Sequence, residues 1–235
     1  MKYCLDLHTH TIASGHAYSS LQEMVAMAKQ KGLQLLGISD HAPGMPGSTY
    51  IYYFQNLRVV PEEIDGVRVL KGVEANIIDH QGTIDMSVSD LKQLNYVIAS
   101  MHMPCLRPST KKSNTRALIK TMGNPYVNII GHPDDLRYQM DYEEIVIAAK
   151  ANNVLLEVNN ASLNPKGFRS DAIVATRQIL ELCMKHNHPV ILGSDAHISF
   201  DVGNFKYCLP VFEEIGFPEE LIVNRSIEEL FKFLS

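Results

Sequence analysis

Seven short apolar runs recur along the chain, and a segment with the spacing of an amphipathic helix follows most of them. The runs predict strands at residues 3–7, 35–39, 67–73, 96–101, 127–131, 154–158 and 190–193. Strands that alternate with helices pair in parallel, because each helix returns the chain to the same end of the sheet. Seven such units joined by right-handed crossovers predict an α/β barrel of mainly parallel strands.

The segments between these runs predict helices near residues 21–31, 114–122, 141–152, 170–185, 205–215 and 227–234. Ser20 and Ser226 each precede a glutamate by three residues, which is the pattern of a helix capping box. Residues 42–53 are rich in Pro, Gly and Tyr and predict a loop at the substrate side. Because no low-complexity linker or strong repeat interrupts the chain, residues 1–235 are predicted to form a single domain.

Charge and cysteine usage narrow the class of protein. The formal net charge is −5 and no block of five like charges occurs, which argues against a surface for long nucleic acid or membrane and favours a small substrate. The four cysteines are far apart, so neither a disulfide framework nor a thiolate zinc site is expected. No signal-like start and no apolar run of about 18 residues occur, which predicts a soluble cytoplasmic protein. The sequence is compatible with a homo-oligomer.

Metal-binding side chains stand at the ends of six of the seven predicted strands. His8 and His10 are spaced i, i+2 after the first strand, so both imidazoles point to one face. In a parallel barrel the carboxyl ends of all strands meet at one mouth. Any single histidine there could be an ordinary strand-end residue, but the whole set predicts a metal site. The set is His8, His10, His16, His41, Glu74, His102, His132, Asp195 and His197.

Nine ligands are too many for one ion. A catalytic zinc ion takes about three protein ligands and keeps a position for water, so nine residues with one bridging carboxylate suit three divalent metal ions. The first ion is assigned His8, His10, Glu74 and Asp195, the second Glu74, His102 and His132, and the third His16, His41 and His197. Zinc is the expected metal, with manganese and iron as alternatives.

One layer below these ligands, five of six positions are small or polar, where a barrel interior favours bulky branched residues. The positions are Asp6, Ser39, Gly72, Ser100, Ile130 and Gly193. The pattern leads to the hypothesis that Asp6, Ser39 and Ser100 orient imidazoles by hydrogen bonds, with chance in short strands as the alternative.

The ordered set His8-x-His10, His16, Asp40-His41, Glu74, His102, His132 and Asp195-x-His197 resembles the polymerase and histidinol phosphatase (PHP) domain family. Within that family it is most similar to the stand-alone bacterial phosphatases of the YcdX type. The resemblance covers nearly the whole chain, and each of the nine residues falls on a family ligand position. It implies a distorted TIM-like barrel of seven strands, a trinuclear metal site and hydrolysis of phosphate esters. The chain looks less like the amidohydrolases, because no lysine ends a middle strand to serve as their carbamylated bridge.

The predicted activity is metal-dependent hydrolysis of small phosphate monoesters by a metal-bridged hydroxide, with no protein nucleophile. Asp40 or a metal-bound water would protonate the leaving group. Arg107, Lys166 and Arg169 follow the fourth and sixth strands and would contact the substrate, unless they are only solvated loop charges. Two alternatives remain: a phosphodiesterase or exonuclease acting on nucleotides, for which a basic aromatic groove would be expected, and a non-catalytic metal-binding protein.

Overall fold

Parallel strands form a nearly closed barrel in the computed structural model, which describes residues 3–169 and 171–234. The strands are Leu5–Asp6 (β1), Leu35–Ile38 (β2), Glu63–Ile64 (β3), Val67–Asn76 (β4), Tyr96–Ser100 (β5), Ile129–Ile130 (β6), Leu155–Asn159 (β7) and Val190–Gly193 (β8). Their order is β1-β2-β4-β5-β6-β7-β8, with every neighbouring pair parallel. The predicted α/β barrel of seven parallel strands is therefore confirmed. That residues 1–235 form one domain stays a prediction.

Helices surround this sheet at Leu21–Lys31 (α1), Ile51–Asn56 (α2), Val88–Leu91 (α3), Lys111–Met122 (α4), Tyr142–Asn152 (α5), Ala172–His186 (α6), Leu209–Ile215 (α7) and Ile227–Phe231 (α8). The capping box at Ser20 is present, and Gly32 ends α1 in the left-handed conformation. The predicted start of α6 at Ser170 lies outside the described residues. Among the described helices, none is long and apolar enough to cross a membrane.

Several predicted boundaries were wrong for identifiable reasons. The predicted loop 42–53 overlaps α2, where Phe54 is buried and anchors the segment to the core. The hairpin of β3 and β4 was missed, although Asp65 and Gly66 both have positive φ angles, as a tight hairpin turn requires. Helix α7 begins at Leu209 rather than at 205, with Pro210 in its first turn.

One cluster of apolar side chains fills the barrel below its mouth. Each parallel strand contributes to it through Leu5, Leu35, Leu70, Tyr96, Ile98, Ile129, Leu155 and Ile191. The Tyr96 ring is fully buried, and its hydroxyl donates to the Leu7 carbonyl at 2.6 Å. A Cβ atom on Gly37 or Gly72 would overlap this ring. The glycine at position 72 is therefore required by the packing of Tyr96.

The seam between β1 and β8 is closed by two different sets of bonds. At the mouth, Thr9 and Ala196 form a parallel bridge, and the Asp195 N–H donates to the His8 carbonyl at 2.9 Å. Lower down, Asn224 from the C-terminal segment lies between the two strands. Its amide donates to the carbonyls of Leu5 and Leu192 at 3.1 and 2.9 Å and accepts from the Leu192 N–H at 2.7 Å.

We expect Gly72→Ala to lower the free energy of unfolding by about 1–3 kcal/mol, because the added methyl group overpacks the interior against Tyr96. Gly123→Ala is the matched control, since Gly123 is exposed with an ordinary negative φ, and its effect should stay within about 1 kcal/mol. Denaturant unfolding in the presence of a chelator keeps metal binding out of the comparison. Equal stability of the two variants would contradict the packing described for Tyr96.

Candidate metal centre

The structure brings all nine predicted ligand residues together at the carboxyl ends of the strands. Glu74 lies inside β4, and the other eight follow strands or lie in the loops that continue them. His41 pairs with Glu74 through an isolated bridge beyond the end of β2. His16 comes from the loop after β1, behind a short 3-10 helix at Ile12–Ser14.

The Glu74 carboxylate is the centre of the cluster. It is fully buried, and five imidazole nitrogens from five different histidines face its two oxygens. The distances to the nearer oxygen are 2.7 Å for His41, 2.9 Å for His132, 3.2 Å for His102, 3.4 Å for His8 and 3.5 Å for His10.

Asp195 forms a second point of convergence. Its Oδ1 atom lies 3.4 Å from His10 Nε2, 3.6 Å from His8 Nε2 and 3.5 Å from His197 Nδ1. The His197 and His16 Nε2 atoms face each other at 3.1 Å, which places His16 at the outer edge of the same group.

Four of the histidines have their outer Nδ1 atoms held by the protein. The partners are Glu157 Oε1 for His8 at 2.6 Å, Ser14 Oγ for His10 at 3.1 Å, Asn76 Oδ1 for His102 at 2.7 Å, and the Asp195 carbonyl for His197 at 3.0 Å. An acceptor at Nδ1 keeps the proton on that nitrogen, so a lone pair is left on Nε2. This is how protein metal sites orient imidazole ligands.

Asp40 determines the tautomer of His10 through Ser14. Ionised, its carboxylate can only accept hydrogen bonds, so the Ser14 hydroxyl donates to it at 2.7 Å. Ser14 Oγ must then accept from His10 Nδ1, which leaves the His10 Nε2 lone pair directed at the cluster. Thr11 and Tyr53 also donate to Asp40. Asp40 is fully buried below the cluster and does not line the cavity described below.

The hypothesis that Asp6, Ser39 and Ser100 orient imidazoles was wrong. Asp6 accepts from the backbone N–H groups of His8, Ser194 and Gly203. Ser39 is hydrogen-bonded to the backbone of Thr9, and the Ser100 hydroxyl has no partner among the described residues. Asp6 and Ser39 therefore fix the backbone that carries the histidines, whereas Glu157, Ser14 and Asn76 orient the rings.

The donor set fits divalent metal ions. His8 Nε2, His10 Nε2, His41 Nδ1 and Glu74 Oε2 are buried without an aligned hydrogen bond within the described residues. Buried polar atoms of this kind are costly unless something else satisfies them. Two ligands of a tetrahedral zinc ion with bonds of about 2.0–2.1 Å lie about 3.3 Å apart. The separations of His8 and His10 from Glu74 and Asp195, 3.4–3.6 Å, are close to this value.

Three groups of side chains each place their ligand atoms within 4.8 Å of one another. They are His8 with His10 and Glu74, His41 with Glu74 and His102, and His10 with His41 and His197. The first group contains three of the four residues that were assigned to the first ion, without Asp195. In the second group, His41 takes the place that was assigned to His132. In the third group, His10 takes the place that was assigned to His16. The division of the nine ligands among three ions stays a prediction.

Buried charges attract positive charge to this site. Burial alone would raise the pKa of Glu74, but His102, His8 and His41 outweigh it and hold that pKa well below its usual value. Burial lowers the pKa of His102 to about 4 and that of His10 well below normal. At His8, burial is outweighed by Glu157, Glu74 and Asp195, which raise the pKa of the ring well above normal. A nearby positive charge, either a proton on an imidazole or a metal ion, therefore stabilises these buried carboxylates.

Two of the ligand residues have left-handed backbone conformations. The φ angle is 31° at His132 and 56° at Asp195, and each residue lies two positions after the end of a strand. Such angles are uncommon for residues other than glycine and cluster at functional sites. At His132 the backbone N–H donates to Glu157 Oε2 at 2.7 Å, which holds the turn.

A cavity of about 490 Å³ opens above the cluster. Lys166 and Arg169 line it, as predicted for substrate contact, and Arg137 also lines it. Arg169 Nη1 lies 3.3 Å from Asp195 Oδ2, whereas Arg137 forms a two-pronged pair with Asp135. Arg107 does not line this cavity and is exposed.

Glu157, Asn76 and Arg137 were not identified from the sequence. Glu157 had a usable signal, since a lone glutamate inside an otherwise apolar strand is a buried charge that needs partners. Asn76 follows Glu74 by two residues, but nothing in the sequence shows that its amide meets His102. Arg137 looks like any other loop cation in the sequence.

Comparison with known proteins agrees with this geometry. The model of the PHP domain family matches residues 6–163. A protein of Clostridium novyi named a probable phosphatase is 44% identical over 234 residues, covering all of this chain and 95% of the relative. Another probable phosphatase, from Caldanaerobacter subterraneus, is 46% identical over 237 residues, covering all of this chain and 92% of the relative.

Among solved structures, the histidinol phosphate phosphatase of Lactococcus lactis, crystallised with zinc, L-histidinol and phosphate, has a similar fold. The TM-score is 0.57 at 18% identity, with 92% of this chain and 95% of that chain covered. This likeness concerns the fold, whereas the family model and the curated relatives concern the sequence itself. Because the family model matches more than half of the sequence, the chain belongs to the PHP domain family.

Proposed function

We propose that this member of the PHP family of phosphatases hydrolyses small phosphate monoesters at a site that holds three divalent metal ions. The observation that carries the proposal is the buried Glu74 carboxylate facing five imidazole nitrogens. A site for stable structure alone would have little reason to open into a cavity lined by cationic side chains. The names of the curated relatives support the same reaction class.

The nine side chains at the mouth would hold the ions, with Glu74 shared between two of them. Zinc is the first candidate, because imidazole and carboxylate ligands suit it and the Lactococcus lactis structure contains it. When bound, divalent ions act as Lewis acids that lower the pKa of water and neutralise charge on the phosphoryl oxygens.

The chain's own cations complete the substrate site. Arg169 is held against Asp195 and Ser162, so its guanidinium is preorganised beside the cluster. Lys166 is exposed on the same wall of the cavity and can move to meet an anionic group. We assign these two side chains to the phosphate and the adjoining part of the substrate, and we assign no such role to Arg107.

Asp40 is proposed as a positioning residue rather than a proton donor. Its oxygens are occupied by Thr11, Ser14 and Tyr53, and it is separated from the cavity by the ligands it supports. The leaving group would then take its proton from water in the cavity.

Metal-loaded protein should release phosphate from p-nitrophenyl phosphate and histidinol phosphate, and bis-p-nitrophenyl phosphate should react far more slowly. Glu74→Gln should lose metal ions and more than about 100-fold in activity, because even changes around metal ligands cost about 10–100-fold. Metal content by mass spectrometry of gently purified protein gives the second measurement. Glu220→Gln, at an exposed glutamate, is the matched control. Preferred diester turnover would make the protein a phosphodiesterase, and full metal content without turnover would make it a binding protein.

We expect Asp40→Asn and Ser14→Ala to weaken metal binding by about 10–100-fold, because both variants release the outer nitrogen of His10. Competition with a chelator measures the affinity. With saturating metal, the pH–rate profile should keep the shape of the wild-type profile. Loss of its alkaline limb in Asp40→Asn, with metal affinity unchanged, would instead restore Asp40 as the proton donor.

Lys166→Ala should raise KM for a phosphate monoester about three- to tenfold with little change in kcat, since an exposed cation contributes one charge-assisted contact. Arg107→Ala removes a cation of similar exposure from outside the cavity and should leave KM as it is. Steady-state kinetics at fixed ionic strength separates the two. If both variants raised KM equally, the effect would come from general charge and the assignment of Lys166 would fail.

A further inference from the structure

Phe168 is the most exposed large apolar side chain among the described residues. It is 99% exposed, and the next in order, Tyr18, is 77% exposed. A fully exposed phenyl ring gains no free energy from burial of its apolar surface. Beside a cavity, such a ring is placed to contact a bound molecule.

Phe168 lines two cavities that share part of their lining. The first is the cavity of about 490 Å³ above the metal ligands, and the second is a side pocket of about 260 Å³. Arg137, Phe168 and Arg169 line both of them. Because the two cavities share these residues, a substrate whose phosphate lies at the metal ligands has room to extend past Phe168 into the side pocket.

The loop that carries Phe168 is folded tightly. The Gly167 N–H donates to the Asn164 carbonyl at 2.8 Å, and the Lys166 N–H donates to Asn164 Oδ1 at 3.0 Å. A Cβ atom at Gly167 would approach the Ala161 and Asn164 carbonyl oxygens to 2.9 and 3.0 Å. On the other side of Phe168 in the chain, Arg169 donates hydrogen bonds to Ser162 and Asp195. The exposure of Phe168 is thus a built feature of this loop.

We propose that Phe168 determines specificity by stacking on the ester substituent, so that the preferred substrates are phosphate monoesters with an aromatic or other planar apolar leaving group. This inference rests on the proposed phosphatase activity. Aromatic rings pair by offset stacking or edge-to-face contact, and neither geometry requires a hydrogen bond from the substrate. The flanking Lys166 and Arg169 side chains keep the charged end of the same molecule at the metal ligands.

The test compares benzyl phosphate with ethyl phosphate, which have alkoxide leaving groups of similar chemistry and differ in the ring. Phe168→Ala should lower kcat/KM for benzyl phosphate about five- to tenfold relative to ethyl phosphate, and Phe168→Trp should retain the wild-type ratio. Phe200→Ala is the matched control, because Phe200 is 70% exposed but does not line either cavity. Calorimetric binding of benzylphosphonate and ethylphosphonate to the metal-loaded protein gives a readout without turnover.

An unchanged benzyl-to-ethyl ratio in Phe168→Ala, for both kcat/KM and phosphonate affinity, would overturn the proposal, as would an equal loss in Phe200→Ala. If wild-type protein hydrolysed neither of these esters nor p-nitrophenyl phosphate and histidinol phosphate, the proposed phosphatase function would fail, and the phosphonate affinities would still decide the role of Phe168. Unchanged metal content and circular dichroism in the variants exclude a folding defect.

Discussion

The arrangement of side chains at the mouth of this barrel depends on one buried carboxylate, that of Glu74. Removing an ion from water costs several kcal/mol even after the protein relaxes, unless opposite charge compensates it. Here the compensation comes from imidazoles supplied after β1, β2, β5 and β6, while β4 carries the carboxylate itself. The strands must therefore meet in the correct register for the charge to be tolerated, and the site and the fold are specified by the same contacts.

Hydrogen bonds behind the ligands explain how the cluster would hold metal ions. Acceptors behind His8, His102 and His197, and the Ser14 hydroxyl fixed by Asp40 behind His10, hold the outer ring nitrogens as donors. The inner nitrogens are then left with lone pairs facing carboxylate oxygens, an arrangement that repels itself without a cation. Preorganisation of this kind is what separates a metal centre from a set of polar strand ends.

The sequence was sufficient for the fold class and for the convergence of the nine polar residues, because both depend on periodicity. Strand ends of a parallel barrel share one mouth whatever the loops do, so His8, Glu74 and Asp195 could be placed without coordinates. Roles that depend on side-chain direction were harder. Gly72 is small because of Tyr96, Arg107 is exposed and does not line the cavity, and Asp6 accepts hydrogen bonds from the backbone. These facts follow from three-dimensional packing and loop geometry, which strand and helix periods do not encode.

The seam closed by Asn224 has a consequence for the order of folding. The ligands on its two sides, His8 and His10 from the beginning of the chain and Asp195 and His197 from near its end, face each other only when β1 and β8 are joined. Asn224 supplies three of the hydrogen bonds in that junction. Closing the ring of strands therefore requires segments that are far apart in the sequence to meet, and such contacts form late in folding. The side chains on the two sides of the seam are brought together by this closing step, so a defect at Asn224 would separate them without altering any of them.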